Sequence, residues 1–137
     1  MSLVVDASIT IAWLFQEQRS EGARSVLRRV IAEDANVPSI WQLEVANVLR
    51  TSVRRGHCAE AYASRCLIRL SRLRIMVDSE TDSQAWGVTR DLSRTHNLTV
   101  YDAAYLELAV RLQIPIASLD RALVNAARAS GIEAIGL

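Results

Sequence analysis

The sequence contains no lysine, and it has only two histidines, two cysteines, five glycines and two prolines among 137 residues. Receiver domains and haloacid-type phosphatases rely on a lysine near the phosphate, so the missing lysine argues against both. The few glycines form neither a P-loop nor a GxGxxG turn. His57, Cys58 and Cys66 do not have the spacing of a standard zinc site. These absences exclude glycine-rich phosphate loops and the common zinc centres.

Long apolar runs are also missing, since the longest is far shorter than a membrane span. Asp6 interrupts the apolar residues near the amino terminus, where a secretory signal needs a continuous core. The two cysteines have no CxxC spacing, which fits a reducing compartment. We therefore expect a cytoplasmic protein that does not associate with membranes. The length, the 50% hydrophobic content and the 5% aromatic content predict one domain, residues 1–137, with an α/β or helical interior.

Charge is nearly balanced overall, with a net charge of +1, but it is unevenly distributed. Residues 50–74 contain seven arginines and one acid, Glu60. The arginines are Arg50, Arg54, Arg55, Arg65, Arg69, Arg72 and Arg74. Arginine binds phosphate in a bidentate manner, so this segment is a candidate phosphate-binding surface. The alternative is an ordinary solvated face of two helices.

Five short β-rich runs alternate with segments of helical spacing. The runs cover residues 3–5, 37–38, 73–77, 114–117 and 132–135. The helical segments include one that Ser20 could cap and one predicted from Asp82 or Ser83 to about Thr95. Strands that alternate with helices imply right-handed crossovers and a mostly parallel sheet with helices on both faces. The predicted architecture is therefore α/β, with the sheet between two helical layers.

Asp6 stands where the first strand ends and a helix begins. In open parallel sheets, ligands bind outside the carboxyl ends of the strands, so an acid at this position faces the usual place of chemistry. Asp120 follows the strand at 114–117 in the same way, and parallel strands end on the same side. Both residues have an alternative role as the N-cap of the following helix.

Two further acids, Glu44 and Asp102, lie on predicted helices beside apolar positions. Charge on an apolar face is costly unless it is paired or bound to a metal, and a salt bridge to an arginine is the alternative for Glu44. Asn47 follows Glu44 by three residues and could orient it or a water molecule. Asp102 follows Thr99 by three residues, which is also the spacing of a capping box.

Together, Asp6, Glu44, Asp102 and Asp120 describe a site with only oxygen ligands, since no histidine or cysteine has a suitable spacing. Such a site favours Mg²⁺ or Mn²⁺ over zinc or copper. Ions of this kind bind phosphate, lower the pKa of an attacking water and neutralise charge on the phosphoryl oxygens. The reaction that fits best is hydrolysis of a phosphodiester.

Four motifs in order resemble those of the PIN-domain ribonucleases and, within them, the VapC-type toxins of bacterial toxin–antitoxin pairs. The motifs are Val4–Ser8, Pro38–Leu49, Leu98–Ala109 and Ala117–Asp120. The resemblance implies a PIN-like three-layer α/β/α fold with Asp6, Glu44, Asp102 and Asp120 around Mg²⁺ or Mn²⁺, Asp120 acting directly or through water. It also places Ser118 at the position of a small hydroxyl near the site.

The resemblance further implies an endoribonuclease that cuts transfer or ribosomal RNA, forms a homodimer or a larger toxin–antitoxin assembly, and is inhibited by a cognate antitoxin whose tail enters the active-site groove. Arg50, Arg54 and Arg55 would then contact RNA phosphates. A non-catalytic RNA-binding or complex-forming module of the same fold remains an alternative. So does a DNA nuclease, because the acids do not distinguish a 2′-hydroxyl from a hydrogen.

Overall fold

Short strands alternate with helices along the chain in the computed structural model, which describes residues 2–137. The strands are β1 (Val4–Val5), β2 (Ala35–Val37), β3 (Ile75–Val77), β4 (Ile116–Ala117) and β5 (Ala134–Ile135). The helices are α1 (Ala7–Leu14), α2 (Glu21–Ala32), α3 (Trp41–Arg54), α4 (Glu60–Ser71), α5 (Thr81–Gln84), α6 (Val88–His96), α7 (Val100–Leu112) and α8 (Arg121–Ala129). A single 3₁₀ turn, Gln16–Gln18, follows α1.

The five strands form one parallel sheet in the order β3-β2-β1-β4-β5, which confirms the predicted mostly parallel sheet. Val4 of β1 pairs with Asn36 on one side and with Ile116 on the other. Right-handed crossovers place α1 to α4 on one face of the sheet and α5 to α8 on the opposite face. The chain therefore leaves β1 and β4 toward opposite faces, and a crevice opens beyond their carboxyl ends.

Four helices begin at polar side chains that the sequence identified as candidate caps. The carboxylate of Asp6 accepts a hydrogen bond from the Ile9 amide at 3.0 Å, and that of Asp120 accepts one from the Leu123 amide at 3.1 Å. The hydroxyls of Ser20 and Thr99 start α2 and α7 in the same way. Each cap satisfies an amide that the helix itself leaves unpaired.

The helix predicted from residue 82 to residue 95 is wrong as a single element. The chain forms α5 and α6 instead, separated by a turn over residues 85–87. Gly87 has φ −106° and ψ −105°, outside the helical region, and Trp86 is 92% exposed. Because Trp86 packs against nothing that would hold a helix across the turn, the flexible glycine allows the chain to break there.

The core lies on both faces of the sheet, and α7 contributes a continuous buried stretch from Ala103 to Ala109. Among the core side chains that are under 2% exposed, Tyr105 of this stretch is the largest. No helix within residues 2–137 is long and apolar enough to cross a membrane.

One charged cluster is built into this interior. Arg111 near the end of α7 donates two hydrogen bonds to Glu107, at 2.7 and 3.0 Å, and two to Asp78, at 3.1 and 2.7 Å. A fifth bond of 3.2 Å reaches Glu80. Only 4% of the Glu107 side chain and 11% of the Asp78 side chain are exposed. The cluster ties α7 to the segment that follows β3, on the face of the sheet opposite α1 to α4.

Candidate active site

Asp6 is the most enclosed of the four predicted acids, with 4% of its surface exposed. One carboxylate oxygen, Oδ1, accepts hydrogen bonds from the Ser8 hydroxyl at 2.7 Å and from the Ile9 amide. The other, Oδ2, accepts a bond of 2.5 Å from the Ser118 hydroxyl at the end of β4. Asp6 is therefore both the cap of α1 and a rigidly held carboxylate in the crevice, so the two roles are not exclusive.

Ser8 and Ser118 join the ends of β1 and β4. The Ser8 hydroxyl accepts a bond from the Leu119 amide at 3.0 Å while it donates to Asp6. The Ser118 hydroxyl accepts one from the Asp120 amide at 2.9 Å while it donates to the other oxygen of Asp6. Sequence reasoning placed Ser118 near the site and missed Ser8, although a serine two residues after a capping aspartate is a signal that could have found it.

Glu44 lies on α3, half-buried, and its partner is not an arginine. The Tyr105 hydroxyl donates a 2.5 Å hydrogen bond to Glu44 Oε1 from α7, in the other helical layer. The bond therefore spans the end of the sheet. Tyr105 was missed as a site residue because its position on an apolar helix is typical of an ordinary core aromatic.

A second link holds the start of α3 against α1. The indole Nε1 of Trp41 donates to the Thr10 hydroxyl at 3.0 Å, and Thr10 in turn donates to the backbone carbonyl of Asp6 at 2.7 Å. Trp41 is one helical turn before Glu44. Two hydrogen bonds therefore fix this end of α3, one through α1 and the other through α7.

Asp102 lies in the first turn of α7 and interacts electrostatically with all three other acids. Its backbone amide, and not its carboxylate, makes the 3.1 Å capping bond to Thr99. Burial raises the pKa of Asp102, the charge of Asp120 raises it further, and the nearby Thr99 hydroxyl lowers it in part. The charge of Asp102 in turn raises the pKa of Asp6 and of Glu44. The structure thus brings the four predicted acids to one edge of the sheet.

Burial raises the pKa of Asp6 and of Glu44, and the neighbouring charge of Asp102 adds to both shifts. Burial raises the pKa of Asp6 to about 6, even though the bonds from Ser118, Ser8 and Ile9 lower it. Burial also raises the pKa of Glu44, against the lowering effect of its bond from Tyr105. Burial and the adjacent Glu44 carboxylate keep the pKa of Tyr105 far above its usual range, so its hydroxyl remains a donor. The ionised carboxylates at this edge of the sheet therefore repel one another.

No cation compensates this charge within residues 2–137. None of the ion pairs in that range includes Asp6, Glu44, Asp102 or Asp120. The side chains are also not gathered into a ready coordination shell. No three Asp, Glu, His or Cys residues in the described range lie close enough together to hold a metal ion. Oxygen donors without a cationic partner are the type of ligand set that Mg²⁺ and Mn²⁺ prefer, and a bound cation would relieve the repulsion.

The remaining predicted residues lie further along α3. Asn47 is exposed and makes no hydrogen bond to Glu44 among the described residues, so its orienting role stays a prediction. Arg50, Arg54 and Arg55 are exposed, and none of them is in an ion pair in the described part of the chain. Arg54 and Arg55 line a depression of about 280 Å³ with Thr51. Arg55 also lines a neighbouring depression that includes Asn47.

Comparison with known proteins covers nearly the whole chain. The family model of the PIN domain matches residues 3–129. The chain is 35% identical over 129 residues to Ribonuclease VapC3 of Pyrobaculum aerophilum, which covers 91% of this chain and 94% of that protein. It is 28% identical over 125 residues to Ribonuclease VapC1 of Mycobacterium tuberculosis, covering 90% of this chain and 89% of that protein.

Solved structures share the fold at lower sequence identity. PAE2754 from Pyrobaculum aerophilum superimposes with a TM-score of 0.71 and 23% identity, covering 98% of this chain and 89% of that one. FitAcB from Neisseria gonorrhoeae gives a TM-score of 0.67 with 17% identity, over 98% of this chain and 96% of that one. These matches confirm the predicted three-layer α/β/α architecture.

Proposed function

Because the chain belongs to the PIN domain family, we propose that it is a metal-dependent endoribonuclease, the toxin component of a toxin–antitoxin system, that hydrolyses phosphodiester bonds of transfer or ribosomal RNA. Its relatives VapC3 and VapC1 are named ribonucleases, which supports RNA over DNA as the substrate. The observation that carries the proposal is the set of four carboxylates at one sheet edge with no cationic partner in the described part of the chain.

The proposed cofactor is Mg²⁺ or Mn²⁺, with Asp6, Glu44, Asp102 and Asp120 as the residues that would hold it. When bound, such an ion supplies Lewis-acid activation of water and neutralises charge on the phosphate. The chain itself orients the carboxylates. Ser8, Ile9 and Ser118 fill three of the roughly four acceptor positions of the Asp6 carboxylate, so that its remaining lone pair, on Oδ2, keeps a fixed direction. Outer groups of this kind commonly determine the affinity and geometry of a metal site.

RNA is proposed to run along α3 from the acids toward the arginine-rich end of the helix. Positions 44, 51 and 55 fall on one face, because seven and eleven residues are close to two and three helical turns. Arg55 is then about 16 Å from Glu44 along the axis. The exposed guanidiniums of Arg54 and Arg55 have no acidic partner within residues 2–137 and are free to bind phosphates there.

Protein partners are the other part of the proposal: a cognate antitoxin and a second copy of the chain in a homodimer, which assembles further with the antitoxin. Exposed apolar side chains support this proposal. Leu43 is 74% exposed and Tyr101 is 63% exposed, and each is adjacent in sequence to one of the acids. Trp86 is 92% exposed at the break between α5 and α6. A partner that covers the first two would also cover the site.

Mapping of new RNA ends tests the proposed activity. The purified protein is incubated with total RNA and Mn²⁺, in parallel with EDTA and with the Asp6→Asn variant. We expect new ends at defined sites, which disappear in both controls because each removes part of the metal site. Cleavage that persists in EDTA would contradict the metal requirement. RNA that is bound and left intact by the wild type would instead identify a non-catalytic binding module, and cleavage of single-stranded DNA at the same rate would identify a general nuclease.

The RNA path predicts a specific loss of affinity in the double variant Arg54→Gln/Arg55→Gln. With two phosphate contacts removed, the slope of log affinity against log salt concentration should become shallower by about 1.4, from roughly 0.7 per contact on a single strand. Binding is measured in EDTA by fluorescence anisotropy at several salt concentrations. The matched control is Arg90→Gln/Arg128→Gln, which removes the same charge from exposed positions in the other helical layer. Equal slopes for the two double variants would remove the end of α3 from the RNA path.

A further inference from the structure

We infer that Tyr105 is a positioning residue for the metal site: its hydroxyl fixes the Glu44 carboxylate so that the remaining carboxylate oxygen faces the cation. This inference rests on the proposed function. It assigns a role in the site to a buried core residue that the sequence did not single out.

The hydroxyl of Tyr105 is a well-defined anchor because the rest of the side chain cannot move. Tyr105 is 1% exposed and is surrounded by the core between α7 and the sheet. A phenol held by such packing keeps its oxygen at one position without any contribution from the bond itself. Its O–H donates to Glu44 Oε1, and a hydrogen bond to a carboxylate is stronger than one between neutral groups.

Glu44 needs such an anchor more than the other acids do. Asp6 and Asp120 each accept a bond from a backbone amide of the helix they cap. Glu44 has a longer side chain than aspartate and lies in the first turn of α3. Tyr105 is its only hydrogen-bond donor among residues 2–137. The hydroxyl fills one acceptor position of Oε1, whereas Oε2 accepts no hydrogen bond from residues 2–137 and has both of its lone pairs available for a ligand.

The position of Tyr105 on α7 also suits a role in the site. Tyr105 follows Asp102 by three residues and therefore lies on the same side of α7, one turn further from the helix start. A single helix thus supplies one carboxylate directly and orients a second one that belongs to the other layer. Metal ligands are commonly held by outer hydrogen bonds of this kind, whose loss costs about 10- to 100-fold in metal affinity or activity.

Tyr105→Phe removes only the hydroxyl, and Tyr62→Phe is the matched control. Tyr62 is the other tyrosine with a hydrogen bond, to the backbone carbonyl of Leu14, away from the acids. The Mn²⁺ concentration at the midpoint of the metal-induced shift in melting temperature is measured for each protein, together with kcat and KM for RNA. We expect Tyr105→Phe to raise the midpoint about 10- to 100-fold and to lower kcat at limiting Mn²⁺, with KM unchanged. Tyr62→Phe should lower the melting temperature without metal and leave the midpoint unchanged.

A second variant keeps the test decisive if Tyr105→Phe does not fold. Glu44→Asp leaves the core intact and retains the charge, but it withdraws the carboxylate from the hydroxyl by one methylene. It should raise the Mn²⁺ midpoint as Tyr105→Phe does, and Tyr105→Phe should have no added effect on the midpoint in a Glu44→Ala background. A wild-type midpoint in Tyr105→Phe would overturn the inference and leave the proposed function standing; if that variant does not fold, a wild-type midpoint in Glu44→Asp would do the same. A wild type with neither cleavage nor a metal-induced shift would overturn both.

Discussion

The Asp102→Asn variant should lose RNA cleavage by more than about 100-fold while it retains its fold. Asp102 is the acid that interacts with each of the other three, and removal of groups that only support a metal ligand already costs about 10- to 100-fold. Asparagine has the same shape and leaves the Asp102 amide free to make its capping bond to Thr99. Cleavage is measured as the initial rate on a defined RNA at saturating Mn²⁺.

The thermal stability of Asp102→Asn should be unchanged or higher, although its activity is lost. The carboxylate of Asp102 is half-buried beside other negative charges, so its ionised form costs free energy when no cation is present. A neutral amide removes that repulsion, and we expect the melting temperature in EDTA to be equal to or above that of the wild type. A variant that cuts RNA as fast as the wild type would show that the site has been wrongly assigned. A lower melting temperature would show that Asp102 has a structural role instead.

Arg111→Met should be among the most destabilising substitutions outside the site, at about 3 kcal/mol. Methionine retains much of the apolar stem but leaves Asp78 and Glu107 without their shared partner. Breaking a buried ion pair from one side typically costs 3–5 kcal/mol, and the 21% exposure of the Arg111 side chain places this case at the lower end. For a chain of this length the melting temperature should fall by about 10 °C.

Arg94→Met is the control for this prediction. Arg94 pairs with Asp91 at 3.3 Å, but their side chains are 76% and 65% exposed. An exposed pair contributes less than about 1 kcal/mol, so this variant should melt within a few degrees of the wild type. Similar losses for both variants would contradict a special role of the buried cluster.

The same cluster predicts a pH dependence. Burial alone would raise the pKa of Asp78, but the hydrogen bonds from Arg111 and Thr81 and the charge of Arg111 outweigh it and lower the pKa below its usual value. A carboxyl with a lowered pKa in the folded state stabilises the protein above its unfolded pKa of about 4, and this contribution is lost as the pH falls through the folded value. The difference in unfolding free energy between wild type and Arg111→Met should therefore be constant near neutral pH and should shrink below about pH 4. Urea denaturation at pH 7 and at pH 3 measures it, and a gap of equal size at both would contradict the assignment.

Much of the fold followed from local features of the sequence. The alternation of β-rich runs with helical spacing predicted the parallel α/β/α architecture, and Asp6, Ser20, Thr99 and Asp120 marked the helix starts correctly. The prediction failed where a helix was extended across Gly87, because periodicity alone does not show that Trp86 has no neighbour to pack against.

The candidate site could be predicted only in part. Asp6 and Asp120 were identified because an acid at the end of a parallel strand is placed by local geometry, and Glu44 because a charge within an apolar helical stripe needs a partner. The alternative that an arginine pairs with Glu44 was wrong. The actual partner, Tyr105, is 61 residues away in sequence and meets Glu44 only across the end of the sheet.

The sequence by itself therefore determined the order of strands and helices, the caps and the types of residue that the family uses. Tertiary structure decided what those residues touch. Ser118 bonds to Asp6 across 112 residues because β4 is the neighbour of β1, and Arg111 meets Asp78 across 33 residues because the segment after β3 lies beside the end of α7. Local spacing sets the direction of a side chain along its own helix or strand, whereas strand order and burial set which distant group it meets.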